Sequence, residues 1–140
     1  MTPRITLITL GVQDLARSVT FYRDGLGFAT KGIIGSEFEN GAVAFFNLQH
    51  GLKMALWPRQ SIANDTGLAL QARSATEFTI GHNVASKEEV DAVMDQAARA
   101  GATVVKPAHV TFWDGYAGYF QDPDGHVWEV VFNADFDSLG

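Results

Sequence analysis

GYAGYFQDPDGHVWEVVF, Gly115 to Phe132, spells a strand, a tight turn and a second strand. Asp122-Pro123-Asp124-Gly125 has turn chemistry throughout. Pro pre-sets φ, Asp bonds nearby backbone, and Gly accepts a conformation that a side chain resists. The flanking residues are aromatic and β-branched, as strands prefer. Glu129 stands inside the second apolar run. A carboxylate there is expensive to bury unless a metal, a ligand or a neighbouring donor meets it.

Upstream, Phe78 to Val84 reads as a strand. Ser86-Lys87-Glu88-Glu89 follows as a capping box, with Val90, Val93, Met94 and Ala97 as a helical face and Gly101 as its stop. With strands around Thr103–Val105, Tyr116–Gln121 and His126–Phe132, the second half is β-α-β-β-β. The first half reads the same way. Ile5 to Val12 is a strand, Asp14 an N-cap, and Leu15, Val19, Tyr22 and Leu26 are one helix face closed by Gly27. Strands are expected at Phe28–Ile34, Ala42–Leu48 and Leu52–Trp57. Ala42–Phe46 lies opposite Tyr116–Phe120 and Gly51 opposite Gly125, an offset of 74 positions (125 less 51). The chain is therefore expected to be one duplicated domain over 1–140. Module one covers about 4–58, a polar connecting loop about 59–76, and module two about 77–134. Each copy has one apolar sheet face to bury.

Composition removes several function classes. Ten basic against sixteen acidic residues give a net charge of -6, with no basic run, so no nucleic-acid partner is expected. No apolar stretch approaches the roughly 18 residues of a membrane span, and the N-terminus has no signal-peptide pattern. There is no cysteine, which excludes disulfides and thiolate chemistry and fits the cytoplasm. No phosphate-cradling glycine loop opens either helix, and no GxSxG elbow is present.

Strand parity sorts the remaining side chains. Val127, Glu129 and Val131 share one face, with Trp128, Val130 and Phe132 on the other. His82 falls with Phe78, Ile80 and Val84 towards the helix layer, and His126 also has the wrong parity for Glu129's face. The aromatic cluster Phe112, Trp113, Tyr116, Tyr119 and Phe120 reads either as core or as a flat binding wall. Tyr119 and its counterpart Phe45 are the best candidates for the wall. Trp113 and Asp114 lie in a Gly-bounded loop that could cover it.

The set LGVQDLARSVTFYRDGLGF (Leu10 to Phe28) with FQDPDGHVWEVVF (Phe120 to Phe132) resembles the vicinal oxygen chelate superfamily, which includes glyoxalase I, bleomycin and fosfomycin resistance proteins and extradiol dioxygenases. The resemblance implies an α+β fold, two paired βαβββ modules forming an open, cupped mixed sheet. It also implies homodimers, sometimes with modules exchanged between chains. Enzymes of this kind hold a divalent metal with four His or Glu side chains. The matching positions here are Leu7, Ala55, Thr79 and Glu129, of which Glu129 alone is a proper donor, so no metal is expected. Loop donors His50, His109 and Asp114 are the remaining route to one.

The expected ligand-binding residues are Leu7, Thr9, Phe45, Ala55, Trp57, Thr79, Trp113 and Tyr119, with Glu129 as the catalytic candidate. Three readings stay open. One is a metal-free binder of a small apolar or aromatic molecule. Another is a glyoxalase-like lyase, isomerase or dioxygenase-type enzyme in which desolvation raises the pKa of Glu129 as base. The third is a dimerising regulatory module.

Overall fold

A computed structural model of the chain describes residues 1–136. The chain divides into two compact units, Met1–Ala72 and Arg73–Gly140, and each builds its own four-stranded sheet.

In the first unit β1 (Leu7–Val12) leads through Asp14 into α1 (Leu15–Val19). The Asp14 side chain accepts from the Arg17 amide at 3.0 Å, as an N-cap should. The helix then widens into a π-helical turn over Thr20–Gly25. Strands β2 (Thr30–Ile34), β3 (Val43–Asn47) and β4 (Lys53–Pro58) follow. The sheet order is β1-β4-β3-β2, with β1 and β4 parallel and the other pairs antiparallel. Leu10, Val12, Leu15, Val19, Tyr22, Phe46 and Leu56 are buried between sheet and helix.

Residues 59–76, expected to be a connecting loop, begin with a helix instead: α2 covers Arg59–Thr66. Its sequence carries no apolar stripe, so periodicity could not reveal it. Side-chain bonds hold it, with Gln60 Nε2 donating to Asn64 Oδ1 at 2.9 Å and Thr66 Oγ1 to the Ile62 carbonyl at 2.7 Å. Gly67, at φ 78°, closes it in the left-handed conformation.

The second unit repeats the plan. It contains β5 (Ile80–Asn83), α3 (Lys87–Arg99), β6 (Thr103–Val110), β7 (Tyr116–Gln121) and β8 (Val127–Phe132), ordered β5-β8-β7-β6. The β5–β8 pair is parallel and the other pairs antiparallel. The Glu89 amide donates to Ser86 Oγ at 3.1 Å, while the Glu89 carboxylate accepts from Ala85 N rather than from the cap residue itself. Helix α3 sits close to the sheet at Gly118, where an added Cβ would come within 3.0 Å of the Met94 side chain. Stacked Phe120 and Trp128 rings, 6.0 Å apart, extend that core. Each half is thus the α+β βαβββ unit that the sequence implied.

The boundaries differ in an informative way. β5 is shorter than expected at both ends and leaves Thr79 outside it. β6 runs five residues past Val105, through Pro107. Pro107, with no amide to donate, falls in an irregularity of the β6–β7 ladder between Lys106 and His109, on an edge strand that tolerates it. Among the described residues no helix is long and apolar enough to cross a membrane.

Candidate functional site

The DPDG turn fixes where β8 begins. Asp122 is fully buried at its side chain and accepts from Asp124 N and His126 N, both at 2.9 Å, and lies 2.7 Å from His126 Nδ1. Arg73 reaches across to Asp124, donating Nη2 to Oδ1 at 2.8 Å and Nη1 to the backbone carbonyl at 2.9 Å. His126 is therefore a structural group of the turn. His82 pairs with Val130 in register. Burial lowers its pKa, and the Glu89 carboxylate on the helix side pulls the other way.

With the turn anchored, β7 and β8 align so that Tyr119 stands directly opposite Glu129. The Tyr119 hydroxyl donates to Glu129 Oε2 at 2.7 Å. This bond is what meets the carboxylate that looked so costly in the sequence, and both residues are half-buried. The Tyr119 pKa is raised, first by its bond to Glu129, then by burial and by the Glu129 charge.

The couple faces a hollow of about 350 Å³ whose lining includes Lys106, His109, Phe112, Trp113, Tyr119 and Glu129. Lys106 lies opposite Tyr119 and His109 opposite Ala117. His109 Nδ1 is 3.0 Å from the Pro107 carbonyl, so the protonated Nδ1 holds the ring and Nε2 remains for another partner. Trp113 is placed by its own loop. Thr111 N donates to the Gly115 carbonyl, Gly115 N to Thr111 Oγ1, and Asp114 takes φ 66°. A Cβ on Gly115 would lie 1.8 Å from the Trp113 ring, so only glycine lets the indole rest there.

Module one carries a hollow of its own, about 340 Å³, lined by Leu7, Thr9, Asn40, Gly41, Val43, Phe45, Ala55 and Trp57. All five site residues expected in this half line it together. Trp57 Nε1 donates to the Asn40 carbonyl at 2.8 Å, and Asn64 of α2 holds the Asn40 side chain at 3.1 Å. The two modules compare rung by rung. Phe45 opposes Ala55, which opposes Thr9, and Tyr119 opposes Glu129, which opposes Gly81. The same place in the sheet carries an apolar pair in one copy and a hydrogen-bonded polar pair in the other.

Thr79 is exposed before β5 and belongs to neither lining. Sequence reasoning missed Lys106, offered His109 only as a loop donor to a metal, and missed Asn40. The first two lay beyond the expected end of β6, and Asn40 sat in a loop with φ 55°, a conformation Asn tolerates.

The metal of the resembling enzymes does not fit these residues. Leu7 and Ala55 offer hydrocarbon, Thr79 a weak hydroxyl, and one oxygen of Glu129 is engaged by Tyr119. Among the described residues no three His, Cys, Asp or Glu side chains are grouped to hold an ion.

Comparison with known proteins agrees with this architecture. The Glyoxalase/Bleomycin resistance protein/Dioxygenase superfamily model matches residues 4–130. A glyoxalase-related enzyme from Fulvimarina pelagi, of known crystal structure, is 34% identical with a TM-score of 0.80, over 94% of this chain and 88% of that one. The Bacillus subtilis protein YraH is 26% identical over 135 residues, 91% of this chain and 96% of its own. The fosfomycin resistance protein FosX of Listeria monocytogenes, solved as a point mutant with Mn(II) and a dihydroxypropylphosphonic acid, is 25% identical. Its TM-score is 0.67 over 96% of this chain and 94% of that one.

Proposed function

The chain belongs to the Glyoxalase/Bleomycin resistance protein/Dioxygenase superfamily, and on that footing we propose that it binds a small aromatic molecule without a resident metal. The observation that carries this reading is the Tyr119–Glu129 couple facing a hollow beside Phe112 and Trp113. Flat apolar walls with one or two placed polar groups are how small-molecule sites obtain both affinity and orientation. The apolar hollow of module one, with Phe45 and Trp57, suits the same ligand class. Donor chemistry supports the metal-free form: two of the four positions that hold metal in relatives are aliphatic here.

An enzymatic reading is favoured by one further detail. Tyr119 engages only Oε2 of Glu129, so Oε1 keeps lone pairs with which a general base could take a proton. The regulatory-module reading has less support, because Glu129 is tied to a phenol rather than to a structural Arg or Lys. We propose homodimerisation from the resemblance, which sedimentation tests, and a cytoplasmic location, with which the absence of cysteine is compatible.

Thermal melting against a panel of planar phenols and against Ni, Zn, Mn and Fe separates the readings. Binding predicts a higher melting temperature with phenols that is lost in Tyr119→Phe/Glu129→Ala. Stoichiometric metal in the purified protein, lost in Glu129→Ala, would overturn the metal-free form.

A further inference from the structure

We infer that the hollow of module two takes an aromatic acid that also carries a hydroxyl or amino group, with Lys106 meeting the acid and Glu129 the donor. This rests on the small-molecule reading above and specifies its chemistry.

Register carries the argument. Lys106 opposes Tyr119 on β7, Tyr119 opposes Glu129 on β8, and Glu129 opposes Gly81 on β5. Tyr119 and Glu129 are directly opposed in a regular ladder and share a sheet face. Lys106 pairs with Tyr119 between two irregularities of the β6–β7 ladder, and lining the same hollow places it with them. The rung therefore reads cation, phenol, carboxylate, and then bare backbone. A Cβ on Gly81 would meet nothing within 4 Å, so the space beside Glu129 is open.

The two charges stand apart. Adjacent strands lie about 4.8 Å from one another, which puts the Lys106 and Glu129 backbones about 10 Å apart across the intervening strand. No ion pair joins Lys106 to any described residue. Tyr119 spends its proton on Oε2 of Glu129, leaving Oε1 as an acceptor and the phenol oxygen as a second one.

A complementary ligand reverses that polarity along its length. Its anionic end lies at Lys106, which lines the same hollow as Tyr119 and Glu129. Its hydroxyl or amino group donates to Glu129, and its ring lies against Trp113. A neutral ligand leaves Lys106 to water, and a cation meets Lys106 as a like charge. A dianion without a donor places its second charge against Glu129. Each is disfavoured by the pattern that an aminated or hydroxylated aromatic acid satisfies.

Calorimetric titration of the full chain with three matched probes tests this: para-hydroxyphenylacetate, the corresponding alcohol, and phenylacetate. The hydroxy acid is expected to bind about five-fold more tightly than the alcohol, the worth of one partly exposed charge-assisted contact. Lys106→Met should erase that preference and Lys106→Arg should keep it. Glu129→Ala should erase the preference for the hydroxy acid over phenylacetate, and Glu129→Gln, which keeps an acceptor without the charge, should reduce it. Circular dichroism checks that the variants fold, and added salt offers a route without mutation, since screening should shrink the acid's advantage. Equal affinity for acid and alcohol, or an advantage that survives Lys106→Met, would overturn the inference and leave the small-molecule reading standing. If no probe binds and no neutral planar aromatic shifts the melting temperature, both are overturned.

Discussion

Tyr119 donates its hydroxyl proton to Glu129 across one rung of the β7–β8 ladder, at 2.7 Å. This bond, with burial and the Glu129 charge behind it, raises the Tyr119 pKa. An acid whose folded pKa is raised contributes stability below its unfolded value, near 10 for tyrosine, and loses it as pH rises through the folded value. Alkaline absorbance titration should therefore show Tyr119 ionising late. In Glu129→Ala it should ionise earlier. Tyr116, raised chiefly by its own bond to Asp91, should be unmoved by that change and serves as the internal control.

Asp122 is the anchor of the turn that sets this register. Its side chain is fully buried and serves two backbone amides and the His126 ring. Asp122→Ala strands those donors, and we expect a loss of about 3 kcal/mol, in the range for breaking a buried charge-assisted network. Urea unfolding followed by tryptophan fluorescence measures it. A loss below about 1 kcal/mol would show that the turn holds without its carboxylate.

Gly115 gives Trp113 its place, because a Cβ there would overlap the indole. Gly115→Ala should displace the ring without disturbing the core behind β7. With fluorotryptophan incorporated, fluorine NMR of the three tryptophans should show one resonance moved, assigned through Trp113→Phe. Affinity for planar aromatics should fall in parallel.

His82 keeps an exposed surface, so the partial desolvation of its ring should give stability only a weak dependence on acidity. Burial lowers its folded pKa and Glu89 only partly offsets this. Below the ordinary histidine value near 6.5 the unfolded chain takes up a proton before the folded chain does, so stability falls as pH drops through that window and is regained above it. Melting temperatures of the wild type and His82→Gln between about pH 5 and 7 should diverge, with the variant less sensitive. Parallel curves would place the dependence elsewhere.

Local chemistry made most of each module readable. Asp14, Ser86, the DPDG turn and the alternating strands state their roles within a few residues; parity joined Trp57 to Ala55, and the duplication supplied Phe45 as the counterpart of Tyr119. Three features could not be read that way. α2 has no apolar stripe, since side-chain bonds and its link to Asn40 hold it. β6 continues through Pro107 because it is an edge, and edge status belongs to the sheet rather than to the segment. Tyr119 as the donor to Glu129 depends on which residues stand opposite across a turn, which register fixes. Lys106 and His109 entered the site only when β6 proved longer than its apolar start.

The duplicated rung offers the most direct check on how the polar pair arose. Phe45 and Ala55 stand in module one where Tyr119 and Glu129 stand in module two. Ala55 is buried while Phe45 is 38% exposed, so a glutamate at 55 must extend towards the face that Phe45 occupies. Ala55→Glu alone should destabilise, because it desolvates a carboxylate at a buried position where the Thr9 hydroxyl opposite is a weaker partner than a phenol. Phe45→Tyr alone should be nearly neutral, as the added hydroxyl can reach water. Together they rebuild the phenol–carboxylate bond, and the double-mutant cycle should show about 1 kcal/mol of favourable coupling. Additive effects would mean that equal places in the ladder do not give equal side-chain geometry, and that module two's polar couple depends on more than its rung.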